Sequence, residues 1–108
     1  MFLQRISLSL LNTRTMSKEY LNLDEISKVL YNNYVKERQF SIIDRLSRAP
    51  SKLAIIEALY DAVRGIKEDD DRSKFKKFVD SIEKMKDSDA VYYSKLLALK
   101  ALSGEWND

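Results

Sequence analysis

Between Ser51 and Gly65 the chain reads SKLAIIEALYDAVRG, and this stretch limits the possible folds more than any other. Wound at about 100° per residue, it leaves only Glu57, Asp61 and Arg64 on one narrow polar stripe. The rest of the wheel is Leu53, Ala54, Ile55, Ile56, Ala58, Leu59, Tyr60, Ala62 and Val63. A helix that is apolar nearly all round is expected to be buried nearly all round, so other helices must wrap it. Ser51 is placed to cap its start. Pro50 ends whatever precedes it, because a proline drives the residue before it out of helical geometry.

The flanking segments read as helices too. One is expected to start at Asp24 and run to Arg38, with Ile26, Val29, Leu30 and Tyr34 on one face. A short one follows Phe40, capped by Ser41 with Asp44 three residues on, and contributes Ile42, Ile43 and Leu46. After the charged turn GIKEDDD, Asp70 or Asp71 is expected to cap a helix over 72–86. Its apolar arc is Phe75, Phe78, Val79, Ile82 and Met85. Asp87 or Ser88 should cap a last helix over 89–103, and Gly104 is a natural stop. That last helix is also apolar on most sides, through Val91, Tyr92, Tyr93, Leu96, Leu97, Leu99 and Leu102. No alternating strand pattern with turn signals occurs. The expectation is an all-α, compact helical bundle of about five helices in a single domain. Either the two apolar helices pack together under the other three, or part of their surface meets another chain.

Composition excludes most chemistry. No cysteine and no histidine occur in the 108 residues. That removes thiolate zinc sites, cysteine nucleophiles and the usual base for a serine nucleophile. Gly65 and Gly104 are the only glycines, too few for a phosphate-cradling loop. No apolar run approaches the roughly 20 residues that cross a bilayer. Glu57 and Asp61 stand one turn apart, and a solvated stripe in which Arg64 neutralises Asp61 is preferred to an acid–base pair or a magnesium site. Glu68 to Asp71 lack the ligand spacing of a calcium loop. No catalytic residue, metal ligand or cofactor is expected.

The formal net charge is +2, carried by residues 1–15, where Arg5 and Arg14 stand without an acid. That segment is superficially like a transit peptide. Residues 1–15 are expected to be an N-terminal extension outside the core, since Met16-Ser17-Lys18-Glu19 reads as a second start. The alternative is an amphipathic arm using Phe2, Leu3, Ile6, Leu10 and Leu11. The helical domain is then 16–104, followed by a loose tail over 105–108 that includes Trp106.

The rest of the charge is blocked. Residues 28–52 and 72–86 are net basic, and 57–71 is net acidic. Lys74, Lys77 and Lys84 are spaced to lie along one helical ridge, which suits a phosphate backbone contacted without sequence reading. Arg38, Arg45, Arg48 and Lys52 cluster around the second helix. Tyr31, Tyr34, Tyr92 and Tyr93 are candidates for stacking on bases, with a partly core position preferred for Tyr92 and Tyr93. A helix-turn-helix reading fails, because the would-be recognition helix is too apolar to present polar groups to base edges.

The run Ile43-Asp44-Arg45-Leu46-Ser47-Arg48-Ala49-Pro50-Ser51-Lys52, followed by Ala58-Leu59-Tyr60-Asp61-Ala62-Val63-Arg64, resembles the archaeal type I-A CRISPR small-subunit family. So does Asp89-Ala90-Val91-Tyr92-Tyr93-Ser94-Lys95 with the Ala/Leu-rich run to Leu102. The two blocks, roughly 40–66 and 83–103, occur in the family's order. A longer, strand-containing insertion that members can carry between them is replaced here by the acidic turn and a basic helix. The resemblance implies a non-catalytic, cytoplasmic component of the RNA-guided complex Cascade. Its implied partners are backbone and large subunits, the CRISPR RNA complex, further copies of itself, and single-stranded or unwound target DNA. Under that reading Arg45, Arg48 and Lys52, or Lys74, Lys77 and Lys84, are the expected backbone contacts. The alternative is a small helical protein–protein adaptor that self-associates without nucleic acid.

Overall fold

The computed structural model describes residues 22–104, and all of them that are regular are helical. The expectations for residues 1–15, the boundary at 16 and the tail 105–108 lie outside the described residues. Helix α1 spans Leu23–Leu30. Asn22, two residues before the expected Asp24, caps it by accepting from the Glu25 amide at 3.2 Å. Asp24 instead sits inside the first turn, where the helix dipole favours a carboxylate.

The expected continuation to Arg38 is not an α-helix. Tyr31–Val35 form a π turn, closed by the Lys36 amide on the Tyr31 carbonyl at 2.9 Å. Two adjacent side chains reach inward from it. Buried Asn33 donates to the Val29 carbonyl at 2.8 Å and accepts from the Lys67 amide at 3.2 Å. The Tyr34 phenol donates to the Ala62 carbonyl at 2.5 Å, so it is a core residue rather than a stacking platform. Arg38 then turns the chain in the left-handed region, at φ 60°.

Helix α2 covers Ser41–Arg48. Ser41 is its first helical residue and not its cap; the Phe40 carbonyl takes the Asp44 amide at 2.8 Å. Ala49, at φ −56° and ψ 128°, shows the extended geometry that Pro50 imposes. Ser51 caps α3 (Lys52–Arg64), accepting from the Ala54 amide at 3.3 Å. Helix α4 runs over Asp69–Glu83, with Asp69, Asp70 and Asp71 all in its first turn. It starts earlier than the expected residue 72, and neither Asp70 nor Asp71 caps it. Helix α5 is Asp87–Ser103, with Lys86 at the cap position and Gly104 closing it at φ 73°.

Helix α5 packs on α2, α1 and α3; α3 also packs on α2 and α4, and α1 on α4. The centre is filled by Leu30, Leu46, Leu59, Phe75, Ile82 and Leu97, all fully buried, with Phe75 and Phe78 tilted against each other at 6.3 Å. The Ser94 hydroxyl ties α5 to α2 by donating to the Leu46 carbonyl at 2.5 Å. Helix α3 is not buried all round. Ile55, Ala58, Leu59, Ala62 and Val63 face in, but Leu53 is 68% exposed and Tyr60 47%. On α5, Tyr92, Leu99 and Leu102 are likewise exposed. Each helix packs on one side only, and nothing among the described residues covers the other.

Candidate nucleic-acid interface

The six cations expected to meet a phosphate backbone fall into three situations. Lys52 opens α3, and its ammonium reaches the C-terminal end of α4. It donates to the Glu83 carbonyl at 3.0 Å and the Met85 carbonyl at 2.9 Å. The Glu83 carbonyl is one that the end of a helix leaves without an intrahelical partner, the Met85 carbonyl lies just past the C-cap, and both stand at the negative pole of the helix dipole. Lys52 therefore clamps two helices together.

Lys74 turns from α4 toward α1. It pairs with Glu25 at 2.8 Å and lies 3.7 Å from Asp70. The hydrogen bond and charge of Glu25 raise its pKa above the usual lysine value. The two helices frame a polar cleft of about 390 Å³ beside this pair, lined by Asn22, Glu25, Lys28 and Asp71 among others. The sequence placed Lys74 on one ridge with Lys77 and Lys84; the structure separates it from them. Lys77 is exposed on the outer face of α4 and Lys84 at its C-cap, with Asp80 between them in the chain, and neither is ion-paired among the described residues. Seven residues apart, they stand about 10 Å from each other along the axis.

The second cluster forms where α2 crosses α3. Arg45 donates to one oxygen of Asp61 at 2.7 Å, and Arg64 to the other at 3.1 Å. Hydrogen bonding and charge from Arg45, reinforced by Arg64, hold the Asp61 carboxyl below its usual pKa. Arg48 pairs with Asp44 at 2.8 Å and remains largely exposed. A guanidinium has five N–H donors, so each arginine keeps donors facing solvent beyond its carboxylate. The expected neutralisation of Asp61 by Arg64 is present; the larger contribution of Arg45, from another helix, was not foreseen.

Among the tyrosines, Tyr92 is exposed and meets half-buried Tyr93 edge-on, with ring centroids 5.2 Å apart. Tyr31 is half-buried. Tyr60, which sequence reasoning assigned to the core, is the exposed aromatic of α3. Its phenol donates to Glu83 at 3.1 Å, and that carboxylate raises the phenol's pKa. The signal was available: Tyr60 lies three residues after Glu57 and four before Arg64, which puts it at the edge of the polar stripe.

Among the described residues no group of three or more acidic side chains could hold a metal ion. No described helix is long and apolar enough to cross a membrane. The arrangement offers cations and exposed apolar surface for contact, spread over two helix faces. A protein-family model described as CRISPR-associated protein (Cas_Csa5) matches residues 29–103, from the last turn of α1 to the end of α5. Neither a curated protein nor a solved structure gives a significant match.

Proposed function

This chain belongs to the CRISPR-associated protein family Cas_Csa5, the small subunit of type I-A Cascade, and from that premise we propose that it works by contact alone. It packs along the complex beside the backbone and large subunits. There it stabilises the opened target by holding a DNA strand through its sugar-phosphate backbone. Exchange of a DNA duplex for a guide–target heteroduplex is nearly balanced in free energy, so a few backbone contacts decide it. The observation that carries this reading is the pair Lys77 and Lys84, solvent-facing and free of carboxylate partners among the described residues. Arg45 and Arg48 extend the basic surface from α2. Lys74 and Lys52 instead hold α4 to its neighbours.

Binding of a single-stranded oligonucleotide tests this. Neutralising three phosphates gives a log–log slope of affinity against salt of about −2. The Lys77→Glu, Lys84→Glu double variant should flatten that slope and weaken binding equally for all sequences. Binding that is independent of salt, or sequence-specific, contradicts the proposal.

A second reading rests on the exposed Leu53, Tyr92, Leu99 and Leu102. It is a helical adaptor that binds protein and no nucleic acid. Affinity purification from the native cell separates the two. CRISPR RNA and repeated backbone subunits in the eluate support the first reading, and a single protein partner without nucleic acid supports the second.

A further inference from the structure

The corner between the π turn and α2 is exposed over consecutive residues from Lys36 to Phe40, yet it is fixed. The Arg38 amide donates to the Val35 carbonyl at 3.0 Å, and the Gln39 amide to the Tyr34 carbonyl at 2.9 Å. Tyr34 is itself anchored in the core on the Ala62 carbonyl. Arg38 holds a left-handed geometry, at φ 60°, that a bulky residue keeps only where its surroundings impose it. These bonds mount Phe40 at the start of α2, 47% exposed. The other exposed aromatics among the described residues are engaged, Tyr60 with Glu83 and Tyr92 with Tyr93; Phe40 meets no other ring there. Lys36 and Arg38 precede it, and neither is ion-paired among the described residues. Phe40 has helical dihedrals, so Asp44 and Arg48 follow it at one-turn intervals on the exposed face of α2, with Arg45 beside them. From Phe40 to Arg48 is about 12 Å along the axis. Arg48 answers Asp44, and Glu37 is the other acid of a surface that carries Lys36, Arg38, Arg45 and Arg48.

We infer that Phe40 is a stacking platform for an unpaired base of a single strand whose backbone runs along α2 past these four cations. The inference rests on the DNA reading above and adds to it a contact with the bases. An aromatic ring stacks on any base, because every base has a π face, so the contact adds affinity without reading sequence. A duplex keeps its bases stacked inside and offers Phe40 none. The ring therefore selects an opened strand over a duplex, which phosphate contacts alone do not. Charge picks nucleic acid over an apolar partner, because an apolar surface laid on Phe40 buries Lys36 and Arg38 without counter-charges. A strand brings a phosphate for each.

Fluorescence anisotropy of the full chain with a thymidine oligonucleotide, and with the same oligonucleotide carrying abasic sites, tests it. Loss of the bases should weaken wild-type binding about tenfold, the order of one aromatic–base stack. The salt slope should not change, because the abasic strand keeps its phosphates. Phe40→Ala should bind the intact strand about tenfold more weakly, treat the two strands alike and keep the wild-type slope. Phe40→Trp should restore the preference for bases. Arg38→Gln should instead make the slope shallower by about 0.7, the share of one phosphate. A wild-type chain that binds both strands alike, or a Phe40→Ala chain that still distinguishes them, overturns the inference and leaves the backbone contacts of α4 standing. A preference for bases that persists while the Lys77→Glu, Lys84→Glu variant keeps the wild-type slope supports the stack and removes α4 from the strand's path.

Discussion

Replacing Lys52 with methionine removes the ammonium and keeps most of the aliphatic stem. In the native chain that ammonium bonds two carbonyls at the end of α4, at 3.0 and 2.9 Å. The Glu83 carbonyl is on the exposed side and regains water when the lysine is lost; the bond to Met85 is partly buried. A hydrogen bond to a charged group contributes about 1.5–3 kcal/mol, and the exposed member of the pair much less, so Lys52→Met should cost about 2 kcal/mol. For a domain this small, each kcal/mol moves Tm by about 4–8 °C, which sets the expected drop at roughly 8–16 °C. Thermal unfolding followed by circular dichroism reads it directly. The same variant, titrated with single-stranded DNA at several salt concentrations below its Tm, should keep the wild-type salt slope. A Tm within about 2 °C of wild type, combined with a slope shallower by the roughly 0.7 that one phosphate contributes, refutes the reasoning. Lys52 would then be a strand contact and not a clamp.

Three further outcomes are expected. Gly65→Ala places a Cβ against the Tyr34 hydroxyl and should destabilise by about 1–3 kcal/mol in chemical denaturation; the loss should shrink in a Tyr34→Phe background, and equal losses in both backgrounds contradict the close approach. Ser27→Ala deletes a fully buried hydroxyl that has no hydrogen-bond partner among the described residues, so stability should stay level or rise by about 1 kcal/mol, and a clear loss refutes this. Because Arg45 lowers the pKa of Asp61, the pair stabilises the fold at pH values above the ordinary aspartate range and loses that contribution as pH falls through the lowered pKa; carbon-detected NMR titration should find the Asp61 pKa returning upward in Arg45→Met, and no change there removes the linkage.

What could be read from the chain was punctuation and pattern. Pro50, Ser51 and Gly104 act locally, through fixed φ, a side-chain cap and tolerance of positive φ, and each sits where it was expected. The family resemblance rested on runs such as Leu59-Tyr60-Asp61 and Val91-Tyr92-Tyr93, which lie inside the matched residues. The π turn was not legible, because its inward Asn33 and Tyr34 are satisfied by Lys67 and Ala62, groups some 30 residues away in the chain. The same limit applies to the cations. Spacing along a helix placed Lys74 beside Lys77, but Glu25 on α1 decides which way Lys74 points. An all-round apolar wheel, finally, reports what a helix can bury and not what is present to bury it. Leu53 and Leu99 therefore stay at the surface.

Loss of strand contact should shorten the life of the open target without touching the fold. The most direct measurement is therefore the lifetime of the R-loop in assembled Cascade containing the Lys77→Glu, Lys84→Glu subunit, set against wild type at equal subunit occupancy. The account predicts a shorter lifetime at physiological salt, with the difference shrinking as salt rises. An R-loop that persists equally long with both lysines reversed contradicts it.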